Sequence, residues 1–480
     1  MSSLSQLNPA RVFYYFEQLT RIPRGSGNIA AVADYCMAFA ETHRLAALRD
    51  IHNNVVIYKP AAAGYETAAP LILQGHLDMV CQKTADSTVN LDTDPITAYV
   101  DGDFIHAKDT TLGADNGIAV AMILAILEDS TLPHPPLEAV FTADEEIGMV
   151  GASAMDTGIL RGKRMINLDS EDGDTVTVSC AGGSDFAADI PLARTQKNGT
   201  AVTVTLYGLR GGHSGVCIHE GRVNASLLAA RLLNTVKKQT DVALVHFAGG
   251  DKGNAIPCAA TFTVCTVNPA ACKETLLHAF AVIKSELAAR EPDVDMTVTV
   301  GDTAQMAVIT DTDASLLIHT VLCAPNGVMD MSAEIDGLVE TSLNLGILST
   351  EPDRAHCLFA LRSNKKTALA ALEEKLTAYF THTRAAITTG GHYPPWEYRN
   401  RSSLRDVYVD AYTALHGTAP KVEAIHAGLE CAVFADKIGG FDGIAIGPQM
   451  FDVHTVNERL SVSSTAEIYK VLLKTLANCR

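Results

Sequence analysis

The 480 residues contain no Cys-x-x-Cys pair, no cluster of lysine and arginine, no uninterrupted apolar run of membrane-spanning length and no short internal repeat. Each absence removes a class of function. Eleven cysteines, scattered and odd in number, suggest neither a disulfide framework nor a thiolate-held zinc. Cys36, Cys258, Cys265 and Cys323 sit among apolar or small neighbours and read as buried free thiols. With 37 Lys and Arg against 55 Asp and Glu the net charge is −18, so nucleic acid and anionic membrane surfaces are poor partners. The opening residues Met1-Ser2-Ser3-Leu4-Ser5 lack a basic region followed by an apolar core, which points to a cytoplasmic protein that is neither exported nor anchored.

What is present describes an ordinary packed protein, 47% apolar and 19% charged. Its length is too great for one core, so two domains are expected. Helical spacing runs from Val12 to about Leu19 and from Ala30 to about His43, with Pro23, Gly25, Ser26 and Gly27 between them. Asn54–Tyr58, Leu71–Leu73, Leu137–Thr142 and Met165–Leu168 read as strands, and Ile118–Leu127 as a strongly apolar helix. Apolar strands alternating with helices argue for an α/β fold with a mostly parallel sheet flanked by helices. After Cys180-Ala181-Gly182-Gly183 the strands alternate with period two, as in Ala201–Tyr207 and Thr261–Val264, which suggests an antiparallel sheet packed on helices. The α/β texture returns after Tyr393-Pro394-Pro395-Trp396. The expected division is therefore residues 1–184 and 396–480 for one domain, with 185–395 inserted as an α+β domain.

Acids and histidines stand where the apolar strands stop. His76 and Asp78 follow Leu71-Ile72-Leu73, two residues apart and so on one face of an extended chain. Asp115 lies in a loop before the apolar helix, Glu145 and Glu146 follow the Leu137 strand, Asp169 follows the Met165 strand, and His454 follows the strand at Gly443–Gly447. In an open α/β sheet such ends converge on one edge. Three or more crowded carboxylates repel and need a compensating cation. Histidine and carboxylate donors without thiolate suit zinc, manganese or cobalt. Of the adjacent Glu145 and Glu146, one can ligate while the other takes a proton from a water that the metal polarises. The plainer alternative is that Asp144-Glu145-Glu146 caps the helix that follows.

Seven motifs then occur in fixed order: Gln74-Gly75-His76-Leu77-Asp78-Met79-Val80, Thr110-Thr111-Leu112-Gly113-Ala114-Asp115-Asn116-Gly117, Glu145-Glu146-Ile147-Gly148-Met149, Asn167-Leu168-Asp169-Ser170-Glu171, Gly208-Leu209-Arg210-Gly211-Gly212-His213-Ser214-Gly215, Gly253-Asn254-Ala255-Ile256-Pro257 and His426-Ala427-Gly428-Leu429-Glu430-Cys431. In this the chain resembles, over essentially its whole length, the bacterial aminoacyl-histidine dipeptidases. These are also called peptidase D or Xaa-His dipeptidases, of the dinuclear zinc aminopeptidase, carboxypeptidase and deacylase clan. The resemblance implies a zinc-peptidase-like catalytic domain with an inserted lid and dimerisation domain, two divalent metal ions per subunit and a homodimer. Zinc is the ion implied, and cobalt and manganese also fit the ligands.

Carried over residue by residue, it implies that His76, Asp115 and Asp169 hold one metal and that Asp115 bridges to a second, completed by Glu146 and His454. Glu145 is then the general base and later the proton donor to the leaving amine, and Asp78 orients His76 through its other ring nitrogen. His213 matches a lid-domain histidine that, in the related dimeric enzymes, reaches the partner subunit's site to steady the oxyanion. Asn254 and Arg362 match substrate contacts, the guanidinium suiting a bidentate grip on a carboxylate. Gly428 lets backbone approach that carboxylate. The family's usual Pro-His-Ser around the last ligand is Val453-His454-Thr455 here; threonine keeps a hydroxyl, and His454 is retained as ligand. The implied activity is hydrolysis of unblocked dipeptides, aminoacyl-histidine among them. An N-acyl amino acid deacylase or carboxypeptidase of the same clan is the alternative, and an inactive scaffold relative the remote one.

Overall fold

Three of the apolar runs, Leu71–His76, Leu137–Thr142 and Arg164–Asn167, lie side by side as parallel strands in the computed structural model, which describes residues 4–480. Met1, Ser2 and Ser3 of the amino-terminal stretch read above lie outside the described residues. The Leu71 and Leu137 strands are buried at all six positions, as a strand covered on both faces must be. They form the middle of an eight-stranded sheet in the order Ala46–Arg49, Val55–Lys59, Leu137–Thr142, Leu71–His76, Arg164–Asn167, Asp442–Ala445, Thr175–Cys180, Lys421–Ile425. The central four are parallel. Antiparallel pairings flank them, at Ala46–Arg49 with Val55–Lys59, at Val55–Lys59 with Leu137–Thr142, and at Asp442–Ala445 with Thr175–Cys180.

Helix Ala114–Glu128 is buried almost all round, from Asn116 to Leu127. It lies against the Leu71 strand because Gly75 has no side chain. A Cβ there would stand 2.6 Å from Asn116 Oδ1 and 2.8 Å from Ala119 Cβ. Helix Ser403–His416 and the closing helix Val462–Asn478 belong to the same unit. That unit is the chain as far as Cys180, with Trp396–Ala424 and Leu429–Arg480.

The second unit comprises Ala181–Pro395 and Ile425–Gly428. Its changeover thus falls four residues before the expected one, and a short piece of the tail containing Gly428 groups with it. Its sheet runs Asp295–Ile309, Arg194–Tyr207, Ala260–Thr266, Ala243–Gly249, Val339–Thr350, Arg354–Ser363, Gly182–Pro191, Ala386–Tyr393, with Gly327–Met331 beside Val339–Thr350. All the pairings are antiparallel. Val202, Val204 and Leu206 are buried, while Thr203 and Thr205 face the other side and bond Thr263 and Thr261. Helices Ala225–Gln239, Pro269–Leu287, Asp311–Cys323 and Lys366–Phe380 close over the apolar face around Phe186, Phe247, Phe262, Phe359 and Phe380.

Two cysteine expectations are corrected. Cys36 and Cys265 are buried, but Cys258 and Cys323 are exposed. Cys323 is the last residue of its helix, and Cys258 follows Pro257 in the turn before the Ala260 strand, so apolar neighbours in sequence do not enclose either thiol. No helix among the described residues is long and apolar enough to cross a membrane.

Phe359 is fully buried, edge-on to Phe186 and Phe380 at ring separations of 6.5 and 5.8 Å. Phe359→Ala should destabilise the second unit by about 3–5 kcal/mol, measured by urea unfolding. A loss below ~1 kcal/mol would contradict this description of its core.

Candidate metal centre

Parallel register brings the strand ends to one edge. His76 stands opposite Thr142, Gln74 opposite Asn167, and Ala445 opposite Asn167. The residues that follow these ends, Asp78, Glu145, Glu146, Asp169 and, further on, His454, therefore emerge together. Asp115 joins them from the start of the apolar helix, where its backbone is not yet helical and its peptide bond to Asn116 is cis. Asn116 ties this segment down: its side-chain oxygen accepts the His76 amide at 3.2 Å, and its nitrogen donates to the Leu168 carbonyl at 2.9 Å. Gly447 meets a similar demand, since a Cβ there would fall 1.6 Å from the Ser170 carbonyl oxygen.

Two imidazoles share one carboxylate. His76 Nε2 lies 3.1 Å from Asp115 Oδ1 and 3.4 Å from Asp169 Oδ1. His454 Nε2 lies 3.0 Å from Asp115 Oδ2 and 3.0 Å from Glu146 Oε1. His454 has a left-handed backbone, φ 63°, uncommon for a side chain of its size. The loop around it is held by Thr455, whose hydroxyl donates to the Asp452 carbonyl at 2.7 Å and accepts the Asn457 amide at 3.1 Å.

Asp78 is fully buried and holds more than a histidine. Its Oδ1 lies 3.4 Å from His76 Nδ1, which also stands 3.2 Å from the Asp78 carbonyl. The same carboxylate accepts the amides of Glu145 and Glu146 at 3.0 and 3.2 Å and the Ser26 hydroxyl at 2.8 Å. Burial opposes its charge, yet His76, Ser26 and the Glu145 amide outweigh burial and hold the carboxyl at about 2. The acids after the Leu137 strand do not cap the next helix, Val150–Ala154, whose N-terminus has no side-chain cap. Asp144 instead accepts the Gly27 amide at 2.6 Å. Among the described residues the Glu145 carboxylate has no hydrogen-bond partner. Burial first, then Asp169, Glu430 and Glu146, raise it well above the usual carboxylate range.

This donor set fits a divalent cation. One donor atom each from His76, Asp115 and Glu146 all lie within 4.8 Å of one another. Hydrogen bonds to Asp115 and Glu146 push His454 up to about 11. Burial, reinforced by Asp115 and Asp169, lifts Glu171 to about 7. Two imidazole nitrogens with carboxylate oxygens and no thiolate match zinc, cobalt or manganese.

The other expected residues belong to the second unit, where His213 and Arg362 meet. His213, in the short strand Gly212–His213, pairs with Ala255 next to Asn254, and the Asn254 carbonyl accepts the Ser214 amide at 2.9 Å. Asn254 itself is exposed. His213 Nδ1 accepts the amides of Gly215 and Val216, which leaves the ring proton on Nε2, 3.4 Å from Arg362 Nη2. Burial and Arg362 hold this histidine neutral, at about 4. Arg362 is buried, donates to the Tyr393 hydroxyl at 2.8 Å and leaves its Nε without a partner. Two donors thus face each other. His426 is spent on structure, bonding Ser342 Oγ at 2.7 Å and Asn364 Oδ1 at 3.2 Å, and burial holds it at about 3. Gly428 is half-buried beside Ala427, whose carbonyl accepts the Ala181 amide.

Residues 72–478 match the model of peptidase family M20/M25/M40. Across the whole chain the sequence is 35% identical to the cytosol non-specific dipeptidase of Escherichia coli, covering 99% of each. The aminoacylhistidine dipeptidase of Vibrio alginolyticus has a similar structure, with a TM-score of 0.91 at 35% identity, covering 99% of this chain and 98% of that one. Aminopeptidase PepT of Bacillus cereus shares the fold, with a TM-score of 0.58 at 14% identity over 98% and 99% of the two chains.

Behind the site runs a buried polar chain, three of whose members, Gln74, Asn167 and Glu430, lie in the motifs above without a role assigned to them. Glu430 Oε2 accepts Gln74 Nε2 at 2.6 Å and the Thr142 hydroxyl at 2.5 Å; Gln74 Oε1 accepts Asn167 Nδ2 at 2.6 Å; and Asn167 Oδ1 accepts the Asp169 amide at 3.2 Å. All four side chains are fully buried, and Glu430 Oε1 has no partner. Burial lifts Glu430 from 4.5 to about 8, despite His76 and Thr142, which favour its charge. A folded pKa above the unfolded one gives stability that is complete below pH 4.5 and is lost as pH rises through about 8. In protein stripped of metal, Glu430→Gln should flatten the fall of unfolding free energy across that interval, followed by urea denaturation. An unchanged slope would show that Glu430 is ionised throughout.

Proposed function

The chain belongs to peptidase family M20/M25/M40, and from that premise we propose a metallo-dipeptidase that hydrolyses unblocked dipeptides, aminoacyl-histidine among them, with two divalent ions per subunit. The observation that carries the reading is the placement of Asp115, whose two oxygens face different imidazoles, each backed by a further carboxylate. In this reading His76, Asp115 and Asp169 hold one ion, and Asp115, Glu146 and His454 the other. Zinc is the ion proposed, with cobalt and manganese chemically suited. Bound there, the pair would polarise the scissile carbonyl and lower the pKa of an attacking water.

The protein's own groups do the rest. Glu145, whose carboxylate has no hydrogen-bond partner among the described residues and is raised by burial, takes a proton from the attacking water and returns it to the departing amine nitrogen. Asp78 fixes the Glu145 and Glu146 amides and faces His76 Nδ1, which aims Nε2 at the ion. Arg362 takes the substrate carboxylate through its unpaired Nε, and Asn254 and the backbone at Gly428 are the further substrate contacts of this reading. His213, neutral and protonated on Nε2, donates to the oxyanion that forms on the substrate. A homodimer, in which the inserted unit acts as lid and dimerisation domain and His213 serves the partner's site, and a cytoplasmic location complete the proposal. Likeness to a cytosol dipeptidase supports the location.

Zinc-loaded protein should cleave an unblocked aminoacyl-histidine dipeptide and leave its N-acetylated counterpart intact. Glu145→Gln should lower the rate by about 10²–10⁴-fold with metal content unchanged. Cleavage of the acetylated compound alone would make the protein a deacylase, and a fully active Glu145→Gln would remove the proposed base.

A further inference from the structure

The loop that carries Asp115 is gripped from two sides by residues outside the ligand set. One grip is Glu458. Its carboxylate, 3% exposed, accepts four consecutive backbone amides: Leu112 and Gly113 on Oε2 at 2.7 and 2.9 Å, Ala114 and Asp115 on Oε1 at 2.8 and 3.3 Å. These amides lie just ahead of the regular turns of helix Ala114–Glu128, and their hydrogen bonds favour the Glu458 charge against burial and the nearby Asp115. The other grip is Arg24, 2% exposed. Its Nη1 donates to the carbonyls of Leu77 and Asp78 at 2.9 and 3.0 Å, and its Nη2 donates to the Gly113 carbonyl. One planar guanidinium thus joins the loop of His76 and Asp78 to the loop of Asp115. Two glycines make room for it, since a Cβ on Gly113 or Gly117 would stand 2.6 or 2.5 Å from Arg24 Nη2.

Burying a guanidinium is costly: Glu458, Asp78 and Asp115 favour its charge only through space and do not outweigh burial, and among the described residues Arg24 Nε has no hydrogen-bond partner. An apolar side chain would pack that space at lower cost if packing were all that was needed. What Arg24 and Glu458 share is the Leu112–Asp115 backbone: one takes its amides and the other a carbonyl. Together they fix the direction in which Asp115 leaves the chain.

We propose that Arg24 and Glu458 are positioning residues for the metal pair, Glu458 by fixing the backbone of Asp115 and Arg24 by locking that backbone to the loop of His76. This rests on reading His76 and Asp115 as ligands. Neither residue touches the ions or the substrate. Their contribution is the direction in which the backbone presents the Asp115 carboxylate to the site, which the contacts of that carboxylate with His76 and His454 alone do not set.

The test is the zinc affinity of the full-length protein, stripped and titrated against a competing chelator, beside the thermal midpoint of the stripped protein. Glu458→Gln keeps the shape but turns a donor towards two backbone amides; Arg24→Lys keeps the charge but cannot span both loops. Each should weaken zinc binding by about 10–100-fold, and excess zinc should restore kcat with KM unchanged. Should Glu458→Gln fail to fold, Arg24→Lys carries the test. Folded variants with wild-type zinc affinity and a lowered midpoint would make both residues ordinary braces and overturn the proposal. Asp115→Asn separates the two claims: if it binds zinc as the wild type does, the ligand reading itself fails, whereas loss there with normal binding in the other variants defeats the positioning role alone.

Discussion

Mutual repulsion of carboxylates is the constraint around which the first unit is arranged. Asp115, Glu145, Glu146 and Asp169 converge on one sheet edge, with Asp78, Glu171 and Glu430 close behind. The sheet can afford this only at its edge. Within the strands, Leu71–His76 and Leu137–Thr142 are buried on both faces and admit no charge that is not fully bonded. Burial and mutual repulsion raise Glu145, Asp169, Glu171 and Glu430, a strain that the histidines offset only in part. Two divalent ions would answer it better and leave the histidines free as ligands.

The second unit carries the converse arrangement. Arg362 is a buried cation with no acid paired to it among the described residues, set among two histidines held neutral by burial and by Arg362 itself. Such a cluster suits a small anion better than a bulky apolar group. Gly215 shows how closely it is built, since a Cβ there would stand 2.4 Å from the His426 carbonyl and 3.1 Å from Arg362 Nε.

The α/β character of the fold was legible because parallel strands covered on both faces carry unbroken apolar stretches, as Leu71-Ile72-Leu73, Ala139-Val140-Phe141 and Met165-Ile166 do. The flanking strands Ala46–Arg49 and Thr175–Cys180 were not foreseen. The first is short and half-exposed, and the second is rich in threonine and serine, which are equally at home in loops. Helix Asp311–Cys323 escaped because its apolar residues are interrupted by threonine and histidine. The arginine–carboxylate framing escaped for another reason. Arg24 and Glu458 act through backbone amides and carbonyls of distant loops, which leave no spacing in the sequence. Ligand-type residues are legible because chemistry restricts which side chains can serve; supporting residues are not, because any reach across the fold can meet a backbone group. The exposure of Cys258 and Cys323 has the same moral, since neighbours in sequence are not neighbours in space.

The central claim is that Asp115 bridges two ions. Anomalous scattering at the zinc edge from crystals of the zinc-loaded protein tests it most directly. The account predicts two peaks about 3.5–4 Å apart on either side of Asp115, one near His76 and Asp169 and the other near Glu146 and His454. A single peak, or two peaks of which Asp115 touches only one, would contradict it.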